Sequence, residues 1–373
     1  MTATAIIIPI ILTSISTLLW SLYGKDLKYK ITPTKDIPKG LNALDVGLID
    51  KGFNNEKDIF AFILELANKG YISITEGRNT TFTIKKIKDY DGKIYKEKMF
   101  MKALFHKTNL VSITDYLHQS KKNRIDELDD EITSDNIQSR FERTKNIVLT
   151  ISNEEEEKEK YYEKTSDRKR SYLILIIAII LILLTSIPFI ELNKLYLIPI
   201  SVIFSIISLY VLLNFVEKSK MEINRNILGI FAFLAIVILF LMLTPTFRNN
   251  RVYILTFFIS LICILINLFL YKYMPRRTIY GSRKYSKIEG FIAFITEGKF
   301  SDIEEIIKEN PNYLFDILPY AYSLNIENEV FDMIKETKPA KPEWWELKSE
   351  YTPTKLCNSI ERFYTTINSK KEN

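Results

Sequence analysis

Residues 171–190 read SYLILIIAIILILLTSIPFI, a stretch without a single charged side chain. About 20 apolar residues in a helix are enough to cross the hydrocarbon core of a bilayer. A buried helix of a water-soluble protein of this length normally keeps some polar positions, and this stretch is too uniformly apolar for that alternative. We therefore predict that it spans a membrane, and the rest of the chain is interpreted around it.

Four more stretches meet the same criterion, so the sequence predicts a multi-pass α-helical membrane protein with five spans. None of them has a charged side chain in its middle. The five predicted spans are Ala5–Tyr23, Ser171–Ile190, Leu195–Phe215, Ile227–Leu243 and Val252–Tyr271.

The charges beside the spans predict their direction. The residues before the first span, MTATA, carry no positive side chain, whereas Lys25, Lys28 and Lys30 follow it, which is the reverse of a cleavable signal peptide. Cytoplasmic loops are rich in lysine and arginine. Every loop except that of Arg248 and Arg251 then fits a cell-membrane protein with the N-terminus outside and both 25–170 and the C-terminus in the cytoplasm.

The composition of the predicted spans favours a membrane anchor over a transporter or channel. Transporters and channels generally place charged or strongly polar groups within the membrane. The most polar residues in these spans are hydroxyl and amide side chains, among them Ser186, Ser205, Ser208, Asn214 and Asn267. A transporter or channel component stays as an alternative function.

The segment 25–170 contains a pattern typical of a winged helix. Asn54 or Asn55 is a candidate helix cap, an apolar stripe follows, and Gly70 stops the helix before a strand. A turn at residues 78–80 and the stretch TFTIKKIK complete a hairpin. The order helix, helix, hairpin predicts a cytoplasmic α+β winged-helix-like segment.

A second copy of the module is a further hypothesis. EKMFMKALF, at Glu97–Phe105, predicts a helix, and VSITDYL, at Val111–Leu117, resembles the start of the next unit. Its wing has a single candidate strand, Asn146–Ser152. The charged run Glu154–Arg170 predicts a helical stem that leads into the membrane.

Charge argues against nucleic acid as the partner of this segment. Basic and acidic side chains are nearly balanced over 25–170, whereas a DNA-binding domain has a basic excess on one face. The hairpin does carry Lys85, Lys86 and Lys88, which we interpret as candidate partner-binding residues. We predict a docking or scaffolding surface for an unidentified cytoplasmic protein, and a membrane-tethered DNA-binding regulator is the alternative.

Residues 273–346 predict a small helical cytoplasmic domain, and 347–373 predict a weakly structured tail. Asp302–Glu309 and Asn328–Glu336 are amphipathic, with Ser301 and Asn328 as candidate caps. Trp344 and Trp345 form a second candidate partner-binding pair. They either lie at the membrane interface or fill a hydrophobic slot in this domain.

The sequence contains no motif that predicts catalysis. Phosphate-binding glycine loops, HExxH and GxSxG are missing, and the chain has two cysteines and two histidines. We therefore expect no enzyme activity, no cofactor and no metal site. The bilayer is the expected lipid partner, and the sequence does not predict an oligomeric state.

Several of these stretches carry a resemblance to a family of predicted bacterial membrane proteins known as domain of unknown function 2207. Members have a Pro-x-Gly-Leu stretch and a helix that ends in Leu-Ala-x-x-Gly-Tyr-Ile. The matching positions here are Pro38, Gly40, Leu41, Leu66, Ala67, Gly70, Tyr71 and Ile72. The similarity resumes at EKMFMKALF and GFIAFI, and at a Leu-Pro-Tyr-Ala-x-x-Leu-Gly motif carried by Leu318, Pro319, Tyr320, Ala321 and Leu324, with Asn325 in place of the glycine.

The resemblance covers most of Lys35–Glu346 and implies a membrane protein without assigned catalytic residues. Longer members place an extracytoplasmic β-rich domain ahead of the first span. This sequence begins at that span, so we expect it to lack the domain.

Overall fold

The computed structural model describes residues 2–78, 81–92, 94–106, 128–191, 193–218, 251–298 and 300–368. These residues form two compact units. The membrane-helix unit comprises Met1–Lys28 and Tyr161–Ile279, and the α/β unit comprises Tyr29–Lys160 and Tyr280–Asn373.

The helices and strands are numbered in chain order. The helices are α1 (Thr2–Tyr23), α2 (Ala43–Lys51), α3 (Glu56–Asn68), α4 (Tyr95–Phe105), α5 (Ser134–Ser152), α6 (Glu155–Glu159), α7 (Lys164–Glu191), α8 (Ile198–Lys218), α9 (Arg251–Lys272), α10 (Ile279–Glu297), α11 (Phe300–Glu309), α12 (Tyr313–Leu324), α13 (Glu327–Thr337) and α14 (Pro353–Asn368). The strands are β1 (Ile72–Glu76), β2 (Phe82–Lys86), β3 (Glu131–Ile132) and β4 (Trp345–Glu346), and a short 3-10 helix covers Leu195–Leu197.

Four helices of the membrane-helix unit are long and apolar enough to cross a bilayer. Their apolar stretches are Ala5–Tyr23, Lys164–Ile187, Leu195–Asn214 and Ile254–Lys272. They coincide with four of the five predicted spans, and the remaining one, Ile227–Leu243, lies outside the described residues. Helices α1, α7 and α9 pack on one another, and α8 packs mainly on α7.

Hydroxyl and amide side chains join these helices at a few buried points. Thr185 of α7 lies 2.8 Å from Ser205 of α8, measured between hydroxyl oxygens, and Ser186 lies 2.9 Å from Ser201 in the same way. The Asn267 amide of α9 donates to the Thr13 hydroxyl of α1 over 2.8 Å. Such bonds stabilise helix pairs in lipid by about 0.6 kcal/mol each, so these residues have an evident packing role.

The α/β unit is built on a four-stranded sheet with the strand order β3-β2-β1-β4. Strands β1 and β2 are antiparallel, with Ile74 opposite Ile84, and β4 runs parallel to β1, with Ile74 opposite Trp345. Strands that precede the helices α7, α8 and α9 in the chain therefore share one sheet with a strand that follows them. We had predicted two separate cytoplasmic domains, and the structure instead joins them, because β4 and several C-terminal helices pack on the first segment.

Local capping signals place the first helices and the hairpin where the sequence predicts them. Asn55 caps α3 and forms a capping box with Asp58, which decides between the two candidate caps. Gly70 has a φ of 75°, and the Tyr71 amide donates to the Leu66 carbonyl over 3.0 Å. This is the glycine C-cap that the pattern predicted. The winged-helix assignment itself stays a prediction.

Three local predictions are wrong. Asn146–Ser152 is the end of α5 and not a strand, because the stripe Ile137, Phe141, Val148 buries a helical face against α4. The predicted stem Glu154–Arg170 is interrupted between α6 and α7. Ser301 and Asn328 lie inside α11 and α13, respectively, and do not cap them. VSITDYL, by contrast, lies outside the described residues.

The predicted tail is also wrong, because residues 353–368 form helix α14. Its buried side chains, Leu356, Ile360, Phe363 and Ile367, recur at helical spacing. Polar residues between them lower the average hydrophobicity, which is why the stretch looked unstructured.

The contact between Gly290 of α10 and the segment 32–34 depends on a missing side chain. The Thr34 amide donates to the Gly290 carbonyl over 3.1 Å, and a Cβ at Gly290 would overlap the Thr32 carbonyl. Backbone cannot rotate away from such an overlap. We expect Gly290→Ala to destabilise the α/β unit by about 1–3 kcal/mol, measured by denaturant unfolding of the full chain in detergent. Gly92→Ala is the control, because its Cβ would meet only the far end of the Tyr90 side chain.

Candidate functional site

Three of the stretches that carry the family resemblance, those at residues 38–41, 66–72 and 318–325, meet at the junction of α2, α3 and α12. Helix α12 packs on both α2 and α3. The Tyr320 hydroxyl of α12 lies 3.4 Å from the Leu41 carbonyl oxygen and 3.5 Å from a Glu65 carboxylate oxygen. Asn325, which replaces the glycine of the motif, ends α12 with a φ of 60°. Asparagine is the side chain that tolerates this left-handed conformation best after glycine, so the substitution preserves the helix end.

Four buried or half-buried charged side chains and the exposed Lys69 surround this junction. We call them the charged junction: Lys51, Asp58, Glu65, Lys69 and Glu97.

Asp58 and Lys51 form the first pair of the charged junction. The Lys51 ammonium lies 2.6 Å from Asp58 and donates to the Ser323 carbonyl over 2.9 Å. The other Asp58 oxygen accepts from the Asn55 amide over 2.8 Å. Burial raises the pKa of the Asp58 carboxyl above its ordinary value, although Lys51 acts in the opposite direction. A Cβ at Gly47 would overlap this carboxylate, so α2 needs a glycine here.

Glu65, Lys69 and Glu97 form the second part of the charged junction. The Lys69 ammonium lies 2.8 Å from Glu65 and 3.1 Å from Glu97, and the other Glu65 oxygen accepts from the Ala43 amide over 2.7 Å. Burial raises the pKa of the Glu65 carboxyl and outweighs the effect of Lys69. Burial lowers the pKa of Lys69, but the two carboxylates outweigh it, and the net direction is upward.

The ion pairs of the charged junction connect neighbouring helices. Each of its carboxylates has a lysine within 3.1 Å, and those of Asp58 and Glu65 also accept from backbone amides. Buried pairs of this kind fix helices in one arrangement, and removing one partner is costly. The ion pairs of the charged junction were not predicted from the sequence. The spacing of Glu65 and Lys69 by four residues is typical of an ion pair along one helix and could have indicated that pair.

The three predicted hairpin lysines have different surroundings. Lys86 lies 3.1 Å from both Asp89 and Asp130, so its charge is neutralised within the unit. Lys85 is exposed, and the Lys88 ammonium lies 4.5 Å from the centre of the Tyr71 ring. Alternation along β2 accounts for the difference, since Phe82, Ile84 and Lys86 share the inward phase.

Apolar side chains are exposed on the stretches next to these lysines. Ile87 is 56% exposed, and Ile94 and Tyr95 at the start of α4 are 45% and 56% exposed. Tyr71 and Tyr90 connect the two stretches: their ring centres are 5.1 Å apart, and the Ile94 amide lies 3.3 Å from the Tyr90 hydroxyl. We call the resulting surface the docking edge, and it consists of Lys85, Ile87, Lys88, Ile94 and Tyr95.

Trp344 and Trp345 are both buried inside the α/β unit. The Trp345 indole nitrogen lies 3.2 Å from the Ser359 hydroxyl, and that of Trp344 donates to the Asn68 side chain over 3.0 Å. The rings pack beside Phe82, Phe315 and Phe363. Of the two alternatives, this geometry agrees with a filled hydrophobic slot, and it leaves little of either ring for a partner to contact.

Four apolar helices of spanning length, together with the family model that matches the chain, define it as a multi-pass membrane protein. A family model described as predicted membrane protein (DUF2207) C-terminal domain matches residues 28–220 and 214–333. The chain belongs to this family, as the resemblance of its motifs had indicated. Comparisons with curated proteins and with solved structures returned no match.

Proposed function

We propose that this protein is a membrane-anchored scaffold whose α/β unit docks a cytoplasmic protein through the docking edge. The observation that carries the proposal is the exposure of Ile87, Ile94 and Tyr95 on the stretches that also carry Lys85 and Lys88. Exposed apolar side chains grouped with a polar rim are typical of protein interaction sites.

The side-chain chemistry of the docking edge favours an acidic segment with apolar side chains as the occupant. Lys85 and Lys88 attract carboxylates, and the exposed apolar side chains of the docking edge offer surface to bury. Nucleic acid is disfavoured, because Asp89 and Asp91 follow the lysines directly and Asp130 neutralises Lys86.

We infer that the α/β unit lies wholly on one side of the bilayer. Its segments share one sheet, which cannot form across a membrane. The chain leaves this unit at Lys160 and re-enters it at Tyr280, so it crosses the membrane an even number of times in between. Helices α7, α8 and α9 supply three crossings. An even number requires one more crossing, and the predicted span Ile227–Leu243, which lies outside the described residues, is the sequence-based candidate for it. The lysines and arginines beside the spans favour the cytoplasm for this side.

Photocrosslinking in native membranes tests the docking proposal. A benzoylphenylalanine at Ile94 of the full chain should crosslink to a discrete protein. The double variant Lys85→Glu/Tyr95→Ser should lower the yield at least tenfold, because the loss of a central contact costs roughly 2 kcal/mol at such interfaces, which is about thirtyfold in affinity. Nuclease treatment should leave the yield unchanged.

The matched control is Lys341→Glu/Lys348→Glu, which reverses two exposed charges elsewhere on the α/β unit. It should crosslink as the wild type does. An equal loss in the control, or an unchanged yield in Lys85→Glu/Tyr95→Ser, would contradict the docking edge, and a nuclease-sensitive product would favour the DNA-binding alternative.

A further inference from the structure

One end of the membrane-helix unit gathers basic and aromatic side chains. Helix α1 ends there, α7 begins there and α9 ends there. The Trp20 indole nitrogen donates to the Tyr273 carbonyl over 3.0 Å, and the Arg170 side chain donates to the Tyr271 carbonyl over 3.2 Å. These contacts bring the three helix ends together.

Positive charge exceeds negative charge at this end. The basic residues are Lys25, Lys28, Lys164, Arg168, Lys169, Arg170, Lys272, Arg276 and Arg277. Among the carboxylates, Asp26 lies 2.6 Å from Arg277, and Glu163 lies 3.6 Å from Arg276. Among the described side chains there, Asp167 is the remaining carboxylate, so basic residues outnumber acidic ones at this end.

Lys169 occupies a defined position between two helices. Its ammonium lies 5.3 Å from the ring centre of Tyr23 on α1 and 5.0 Å from that of Tyr172 on α7. A cation over an aromatic face is attracted by the negative electrostatic potential of the ring. Tyrosine also prefers the level of the lipid headgroups. The two rings therefore hold the Lys169 charge where the apolar helices end.

Exposed apolar rows continue from both tyrosines along the helices. On α1, the exposed side chains Leu22, Leu18, Ile15 and Ile11 recur at intervals of four, three and four residues, so they share one helix face that ends one residue before Tyr23. On α7, Leu175 and Ile179 follow Tyr172 in the same way. A cationic group thus lies at the end of two exposed apolar rows. This arrangement is complementary to a phospholipid, which has a phosphate headgroup and two acyl chains.

We propose that this end of the membrane-helix unit binds one anionic glycerophospholipid. Lys169 donates to a phosphate oxygen, and the exposed Arg168 and Lys25 lie beside Lys169 and Tyr23 in the chain to supply further donors. The acyl chains lie along the rows Ile11–Ile15 and Leu175–Ile179. Ammonium and guanidinium groups form their strongest hydrogen bonds with phosphate and carboxylate. Basic sites between transmembrane helices bind anionic lipid headgroups by this chemistry.

Native mass spectrometry of the full chain in detergent tests the proposal. Phosphatidylglycerol should bind about tenfold more tightly than phosphatidylcholine with identical acyl chains. Lys169→Gln should lower the phosphatidylglycerol affinity about tenfold, because a charged hydrogen bond is lost. Tyr23→Leu/Tyr172→Leu, which keeps the charge and removes both rings, should lower it several-fold.

Lys194→Gln is the matched control, since it removes one exposed lysine near the other end of α7. It should bind phosphatidylglycerol as the wild type does. Wild-type affinity in Lys169→Gln, or an equal loss in Lys194→Gln, overturns the site. Competition by sn-glycerol 3-phosphate at the concentration at which the lipid binds would assign the site to a free phosphate and overturn the lipid. Each variant is first shown to unfold at the wild-type temperature.

Discussion

Truncation of the chain after Thr352 is expected to prevent the α/β unit from folding. The truncation removes α14, whose Phe363 side chain lies between Phe60, Phe82 and Trp345 at ring distances of 5.7, 5.0 and 5.6 Å. Loss of one such phenylalanine costs about 3–5 kcal/mol. Leu356, Ile360 and Ile367 are lost with it, so the total exceeds the stability of a typical domain, about 5–15 kcal/mol.

Limited proteolysis of the membrane-inserted protein measures this effect, with the fluorescence of Trp344 and Trp345 as a second observable. A chain that ends after Asn368 is the control, because it keeps all of α14, and it should behave as the full chain does. Phe363→Ala should give an intermediate loss of about 3–5 kcal/mol. Protease resistance of the Thr352 truncation at the wild-type level would show that α14 is dispensable.

Asp58→Ala is expected to destabilise the α/β unit by about 3–5 kcal/mol, because it leaves the Lys51 ammonium buried without a carboxylate. The same change removes half of the capping box with Asn55. Replacement of both partners, as in Lys51→Met/Asp58→Leu, should recover most of the loss, since no buried charge then remains. Denaturant unfolding of the full chain in detergent measures both variants.

The raised pKa of Asp58 also predicts a pH dependence. Because the folded pKa lies above its ordinary value of 3.8, the Asp58 contribution to stability is complete below that value and decreases as the pH rises through the folded pKa. The double variant should lack this decrease. The pKa of Glu65 is also raised, and Glu65 is present in both the wild type and the double variant. The difference between their profiles of stability against pH therefore isolates the contribution of Asp58. Parallel profiles would contradict the assignment.

Local signals carried most of what the sequence predicted correctly. The four described spans follow from uninterrupted apolar composition, and the ends of α3 follow from Asn55 and Gly70. Each of these signals is contained within a few neighbouring residues, so no knowledge of tertiary contacts is needed.

Features that depend on distant partners were missed. Strand β4 has two residues, and its pairing with β1 leaves no periodic pattern in the sequence. Helix α14 is helical because its apolar stripe has Phe60 and Trp345 to pack on, and its composition alone suggests a tail. The charge of Lys86 is neutralised, unlike those of Lys85 and Lys88, because Lys86 pairs with Asp130. Asp130 directly precedes β3 and is distant from the hairpin in the sequence.

The parallel pairing of β1 with β4 has a consequence for biosynthesis. Thr75 and Glu346 are neighbours in the sheet but are 271 residues apart in the chain. At about 5–20 residues per second, translation takes roughly 15–50 seconds to supply the second strand after the first. During that interval the membrane helices are synthesised, and the edge of β1 that will pair with β4 has no partner strand. Closure of the sheet therefore requires synthesis to have passed α7, α8 and α9, and a chain that stalls before β4 presents the unpaired edge of β1 to proteases and chaperones.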